Sequence, residues 1–104
     1  MEIRNQLFID GKWGDSSDGK SLPVLDPSNN SEITRVAAAT ADDVGRAAES
    51  ARRCFEAGAW SGLSVYERSA ILHKVAELIA ARAEPLAQLE SRDVGKPLVE
   101  SRNI

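Results

Sequence analysis

The sequence predicts short N-terminal strands, opened by a β-hairpin, followed by three to four α-helices. An Asp10-Gly11 pair stands between two short β-prone runs, Leu7-Phe8-Ile9 and Lys12-Trp13. From Val44 onward, apolar residues recur at helical rather than alternating spacing. Glycines and prolines fall where helices stop and start. Strands are expected over about 6–37 and helices over about 41–104.

Asp-Gly suits a type I′ turn, in which both central residues take positive φ. Such a turn pairs Ile9 with Lys12 and Phe8 with Trp13, and an aromatic pair across two strands adds ~0.2–1 kcal/mol. Gly14 to Lys20 reads as a loop and Ser21 to Leu25 as a short strand. Asp26-Pro27-Ser28-Asn29-Asn30 is a turn, with φ fixed at Pro27 and a left-handed conformation open to Asn30. Ile33 to Ala37 supplies a further strand. Thr40 caps the first helix, with Asp42 and Asp43 in its first turn, where the macrodipole favours negative charge. Its apolar face comprises Val44, Ala47, Ala48, Ala51, Cys54 and Phe55, and Gly58 stops it. Ser64 and Glu67 form a capping box for a second helix to about Ala83, with Ile71, Leu72, Val75, Leu78 and Ile79 on one stripe. Glu84-Pro85 opens a third helix, with Leu86 and Leu89 facing inward and Gly95 as its stop. Pro97 opens a fourth, to Ile104, with no C-cap. A helix begun properly and cut at two turns implies part of a longer polypeptide.

Composition excludes several classes of function. The chain has 104 residues, a little under one domain of ~150. With 42% hydrophobic and 28% charged residues it has a foldable rather than disordered make-up. Aromatics are only 5%, so a core would be built from Leu, Ile, Val and Ala. Thirteen Lys and Arg against sixteen Asp and Glu give a net charge of −3, without the basic block of a nucleic-acid binder. One Cys and one His cannot form an internal disulfide or a Cys/His zinc site. No apolar run approaches the ~18 residues of a membrane span. Met1 to Gln6 lacks the apolar segment of a secretion signal, so a cytoplasmic location is expected.

Few side chains suggest chemistry by themselves. Cys54 with His73 as its base would be a nucleophile pair, but Cys54 falls on an apolar helical stripe and reads as a small core residue. His73 lies off the stripe of its helix and reads as a surface residue. Gly95-Lys96-Pro97 reads as a helix–helix junction rather than a phosphate cradle. Arg46, Arg52, Arg53, Arg68, Arg82 and Arg92 alternate with acidic residues, the pattern of a solvated face. Asp93 is different. A carboxylate in the last turn of a helix is electrostatically disfavoured, and a bound cation, a nearby Arg or solvent exposure would compensate it.

An ordered series of segments resembles the N-terminal part of the NAD(P)-dependent aldehyde dehydrogenase superfamily, from Leu7 to Val99. It comprises Phe8-Ile9-Asp10-Gly11-Lys12-Trp13, Asp26-Pro27-Ser28, Ile33 to Val36, and Ala41-Asp42-Asp43-Val44 with Ala47, Ala51 and Phe55. Trp60, Arg68, Leu72, Ala76 and Leu78 follow, then Glu90-Ser91-Arg92-Asp93-Val94-Gly95-Lys96-Pro97-Leu98. One departure is visible: the family's turn is commonly Asn-Pro-x-x-Gly, whereas Asp26 begins it here and Asn30 replaces the Gly. Asn tolerates the left-handed conformation next best, so the turn should survive.

The resemblance implies an α/β fold and oxidation of an aldehyde to an acid, with hydride transfer to NAD or NADP through a cysteine-bound thiohemiacetal and thioester. The family's nucleophile lies in Gly-Gln-x-Cys and its general base in Glu-Leu-Gly-Gly. Neither segment occurs here, Cys54 does not match the nucleophile's setting, and no catalytic or coenzyme residue is carried over. The implied role is scaffold: residues 1–104 as a partial coenzyme-binding domain, completed by the rest of the same polypeptide and, in the intact enzyme, by homo-oligomerisation. Many members also hold a structural potassium or sodium ion. The matching positions here are the Val24 and Leu25 carbonyls and the Asp93 carboxylate, with a further carbonyl beyond residue 104. The alternative is a stand-alone, non-catalytic helical module that binds a protein partner through its apolar stripes.

Overall fold

A computed structural model describes residues 2–103, in the order β1 (Leu7–Ile9), β2 (Lys12–Gly14), β3 (Ser21–Leu25), β4 (Glu32–Ala37), α1 (Ala41–Ala57), α2 (Val65–Ala80), α3 (Ala83–Val94) and α4 (Leu98–Ser101). The strands form two separate antiparallel pairs, β1–β2 and β3–β4. In the first, Phe8 faces Trp13 and Ile9 faces Lys12, as the turn chemistry predicts. Asp10 and Gly11 both have positive φ, 54° and 74°. The Phe8 and Trp13 rings lie 4.8 Å apart between centroids, tilted by 44°, a spacing within the range of favourable aromatic pairs. Arg4 extends the stack, its guanidinium carbon 5.3 Å from the Trp13 ring centre.

In the second pair Ser21 to Val24 run opposite Ala37 to Thr34, after which the register slips. Val24 and Leu25 are consecutive, but their partners Thr34 and Glu32 are two apart, so Ile33 is the extra residue of a bulge. The N-terminal segment reaches this pair through the Ala37 amide, which donates to the Asn5 carbonyl at 2.8 Å.

The helix boundaries follow local chemistry. Thr40 accepts from the Asp43 amide, and the Asp43 side chain accepts from the Thr40 amide, giving α1 a reciprocal capping box. Ser64 and Glu67 do the same for α2. Gly58 and Gly95 end α1 and α3 in the left-handed conformation that a Cβ disfavours. Three expectations need correction. The second helix ends at Ala80, not Ala83, because Ala81 and Arg82 bond back onto Glu77 and Ile79 and close it. Pro85 is the third residue of α3, not the first; its missing N–H is still one the first turn leaves unbonded. The fourth helix is a single turn, Leu98–Ser101, closed at Arg102. Ile104 lies outside the described residues.

The packing is thin. Ala87 is the one apolar residue among those described that is buried, so the expected Leu, Ile and Val core is absent. Leu86 and Leu89 are half-buried, as their inward position predicts. Along α2, Ile71, Leu72, Val75, Leu78 and Ile79 are all exposed, and no residue of that helix is buried. Cys54, expected in a core, is exposed, as are Val44 and Phe55 of the same apolar stripe. The radius of gyration is 17.1 Å, with extents of 47 × 37 × 18 Å, against about 13 Å for a compact domain of this length. No helix among the described residues is long and apolar enough to cross a membrane.

Candidate cation site

Val24 and Leu25 end β3 and Asp93 lies in the last turn of α3; the contact the structure shows between these regions is made by their flanking residues Pro27 and Gly95. The turn after β3 is closed by the Asp26 amide donating to the Ser31 carbonyl at 2.8 Å and the Asn30 amide donating to the Asp26 carbonyl at 2.7 Å. The Asp26 side chain accepts from the Ser28 hydroxyl at 2.6 Å and the Ser28 amide at 2.8 Å. Those two bonds, with a smaller contribution from the Arg92 charge, hold its carboxyl below the ordinary range against the opposing effect of burial. Asn30 takes φ 60°, the left-handed conformation expected where the family has glycine.

This turn rests on the end of α3. Gly95 has φ 74°, and a Cβ placed on it would lie 3.1 Å from Pro27 Cγ. Gly95 follows Asp93 by two residues, and Pro27 follows Leu25 by two. The Arg92 charge acting on Asp26 reports the same proximity. Asp93 itself is exposed, and among the described residues its carboxylate makes no hydrogen bond or ion pair. Of the three ways to compensate it, a neighbouring Arg is therefore not the one used here. On the strand side, the bulge at Ile33 interrupts the ladder opposite Val24 and Leu25. A bulge leaves its extra residue, here Ile33 of β4, out of the regular ladder. Two backbone carbonyls and a carboxylate are hard oxygen donors and fit an alkali cation better than a transition metal. No cluster of three His, Cys, Asp or Glu side chains capable of holding a metal occurs among the described residues.

The side chains weighed for chemistry are not brought together. His73 Nδ1 lies 2.9 Å from the Ser69 carbonyl of its own helix, to which the ring N–H donates. No hydrogen bond joins it to Cys54 among the described residues. Lys96 pairs with Glu90 at 3.4 Å, which supports the helix-junction reading of Gly95-Lys96-Pro97. Arg52 pairs with Glu56 at 2.7 Å, and Arg53 with Glu49 at 3.5 Å and Asp10 at 3.6 Å, all on exposed surface.

One residue acquires a role the sequence reading did not assign. Asp43 is fully buried. Its Oδ2 accepts from the Thr40 amide at 2.9 Å and from the Ser17 amide at 3.0 Å, twenty-six residues away, and its Oδ1 accepts from Arg46. The Ser17 and Thr40 hydroxyls lie 2.6 Å apart beside it. The two amides lead in holding the carboxyl far below its ordinary value, overcoming desolvation, with Arg46 and the Thr40 side chain adding to them. Asp43 thus fastens the loop before β3 to the start of α1. Thr-x-x-Asp at positions 40–43 is the sequence signal for its cap; the bond to Ser17 has none.

Two antiparallel strand pairs followed by four helices make up the described residues, the order the resemblance implies for an N-terminal segment of an α/β fold. An aldehyde dehydrogenase family model matches residues 13–103. The chain is 44% identical over 96 residues to aldehyde dehydrogenase family 2 member B4, mitochondrial, of Arabidopsis thaliana, covering 92% of this chain and 18% of that protein. It is also 44% identical over 96 residues to betaine aldehyde dehydrogenase of Bacillus subtilis, covering 92% of this chain and 20% of that one. A solved point mutant of betaine aldehyde dehydrogenase from Staphylococcus aureus, in complex with NAD+, superposes with a TM-score of 0.95 at 34% identity, covering 98% of this chain and 21% of that one. The chain belongs to the aldehyde dehydrogenase family, and its fold is that of an N-terminal segment of such enzymes. It spans about a fifth of the length of these relatives.

Proposed function

We propose that this chain supplies the opening hairpins and outer helices of the coenzyme-binding domain of an enzyme that oxidises an aldehyde to a carboxylic acid with NAD+ or NADP+. Alone it is catalytically inert. The observation that carries this reading is a match running through residues 13–103 in a chain with neither Gly-Gln-x-Cys nor Glu-Leu-Gly-Gly. Its part in the reaction is indirect: the helices form a platform on which the rest of the same polypeptide packs, in a homo-oligomeric cytoplasmic enzyme. The exposed apolar residues of α2 support that role, since a helix apolar over much of its surface is normally covered.

Within the platform, the Val24 and Leu25 carbonyls and the Asp93 carboxylate hold a structural potassium or sodium ion, completed by a carbonyl from beyond residue 104. The seating of Pro27 against Gly95 supports this assignment. The ion would tie the β3–β4 pair to α3 and take no part in hydride transfer.

The same apolar stripes would also serve a stand-alone module that binds a protein partner. Reading the encoding DNA past residue 104 separates the two. A continuing frame with Gly-Gln-x-Cys and Glu-Leu-Gly-Gly is expected; a stop codon there would favour the module. In an assay of the purified chain with aldehyde, no NAD+ or NADP+ reduction is expected. Reduction abolished by Cys54→Ala would overturn the reading.

A further inference from the structure

We draw no further inference here: the strongest candidate, the apolar slot of about 370 Å3 between α2, α3 and α4 lined by Ala76, Ile79, Ala80, Ala83 and Leu86, is an unpartnered face, and nothing in the structure shows what covers it.

Discussion

Asp42 and Asp43 are neighbours in the same helical turn, yet one is exposed and the other has no accessible surface. Both gain from the helix macrodipole, but only Asp43 joins two segments of chain. Asp43→Ala should therefore lower the thermal midpoint of the intact enzyme clearly more than Asp42→Ala. Equal effects would reduce Asp43 to an ordinary first-turn charge. Gly95 is a second such position. Its φ of 74° costs an L-residue about 1–2 kcal/mol, and an added Cβ would press on Pro27. Gly95→Ala should cost at least that much in a denaturant titration, and the loss should fall with the turn after β3 rather than with α4. Asp93 is read through the cation. The intact enzyme should melt higher in potassium or sodium than in a bulky organic cation, and Asp93→Ala should flatten that difference. Indifference of the parent protein to the cation, or an unchanged dependence in the variant, would leave Asp93 a solvated helix-end residue.

The elements differ in what secures them. Helix α2 buries no residue of its own, so its start depends on local bonds. The Glu67 amide donates to Ser64 Oγ at 3.1 Å, and the Ser64 amide donates to Glu67 at 2.8 Å. Ser64→Ala should cost ~1 kcal/mol, measured from the denaturant midpoint of the intact enzyme. The short α4 is held from outside. Arg102 donates twice to Glu84, at 2.7 and 2.9 Å, across the start of α3, and Ser91 donates to the buried Ser101 hydroxyl at 2.9 Å. The Arg102 bonds, aided by Gln88, pull the Glu84 carboxyl from 4.5 down to about 2. A depressed carboxylate contributes its stabilisation in full above the unfolded value and loses it as pH falls towards the folded one. The stability difference between parent and Glu84→Gln should therefore be constant above about pH 4.5 and fade between there and about pH 2. The pair is half-exposed, so salt should also diminish that difference.

At the scale of the whole chain, the flat shape and the single buried apolar residue among those described have one consequence. Ordering the backbone costs ~1–2 kcal/mol per residue, while full burial of a large aliphatic side chain returns ~1.5–3 kcal/mol. Here Ile71, Leu72, Val75, Leu78 and Ile79 remain exposed. The isolated chain should self-associate or melt with little cooperativity, measured by sedimentation and by thermal unfolding followed at two wavelengths. A monomer with one sharp, probe-independent transition would favour the stand-alone module over the platform.

Features set within four residues were legible from the sequence. The Asp10-Gly11 turn, the left-handed Asn30, the Thr40 and Ser64 caps and the glycine stops at 58 and 95 all depend on φ preferences or on hydrogen bonds to adjacent amides. The ordered segments that mark the family were legible too, because a series in fixed order is unlike chance. Exposure was not. Cys54 and the stripe of α2 are apolar and periodic, which states that a face seeks cover but not whether this chain supplies it. The partner of Asp43 at Ser17, the bulge at Ile33 and the contact of Pro27 with the end of α3 were equally out of reach. Each joins positions that only the folded chain makes neighbours.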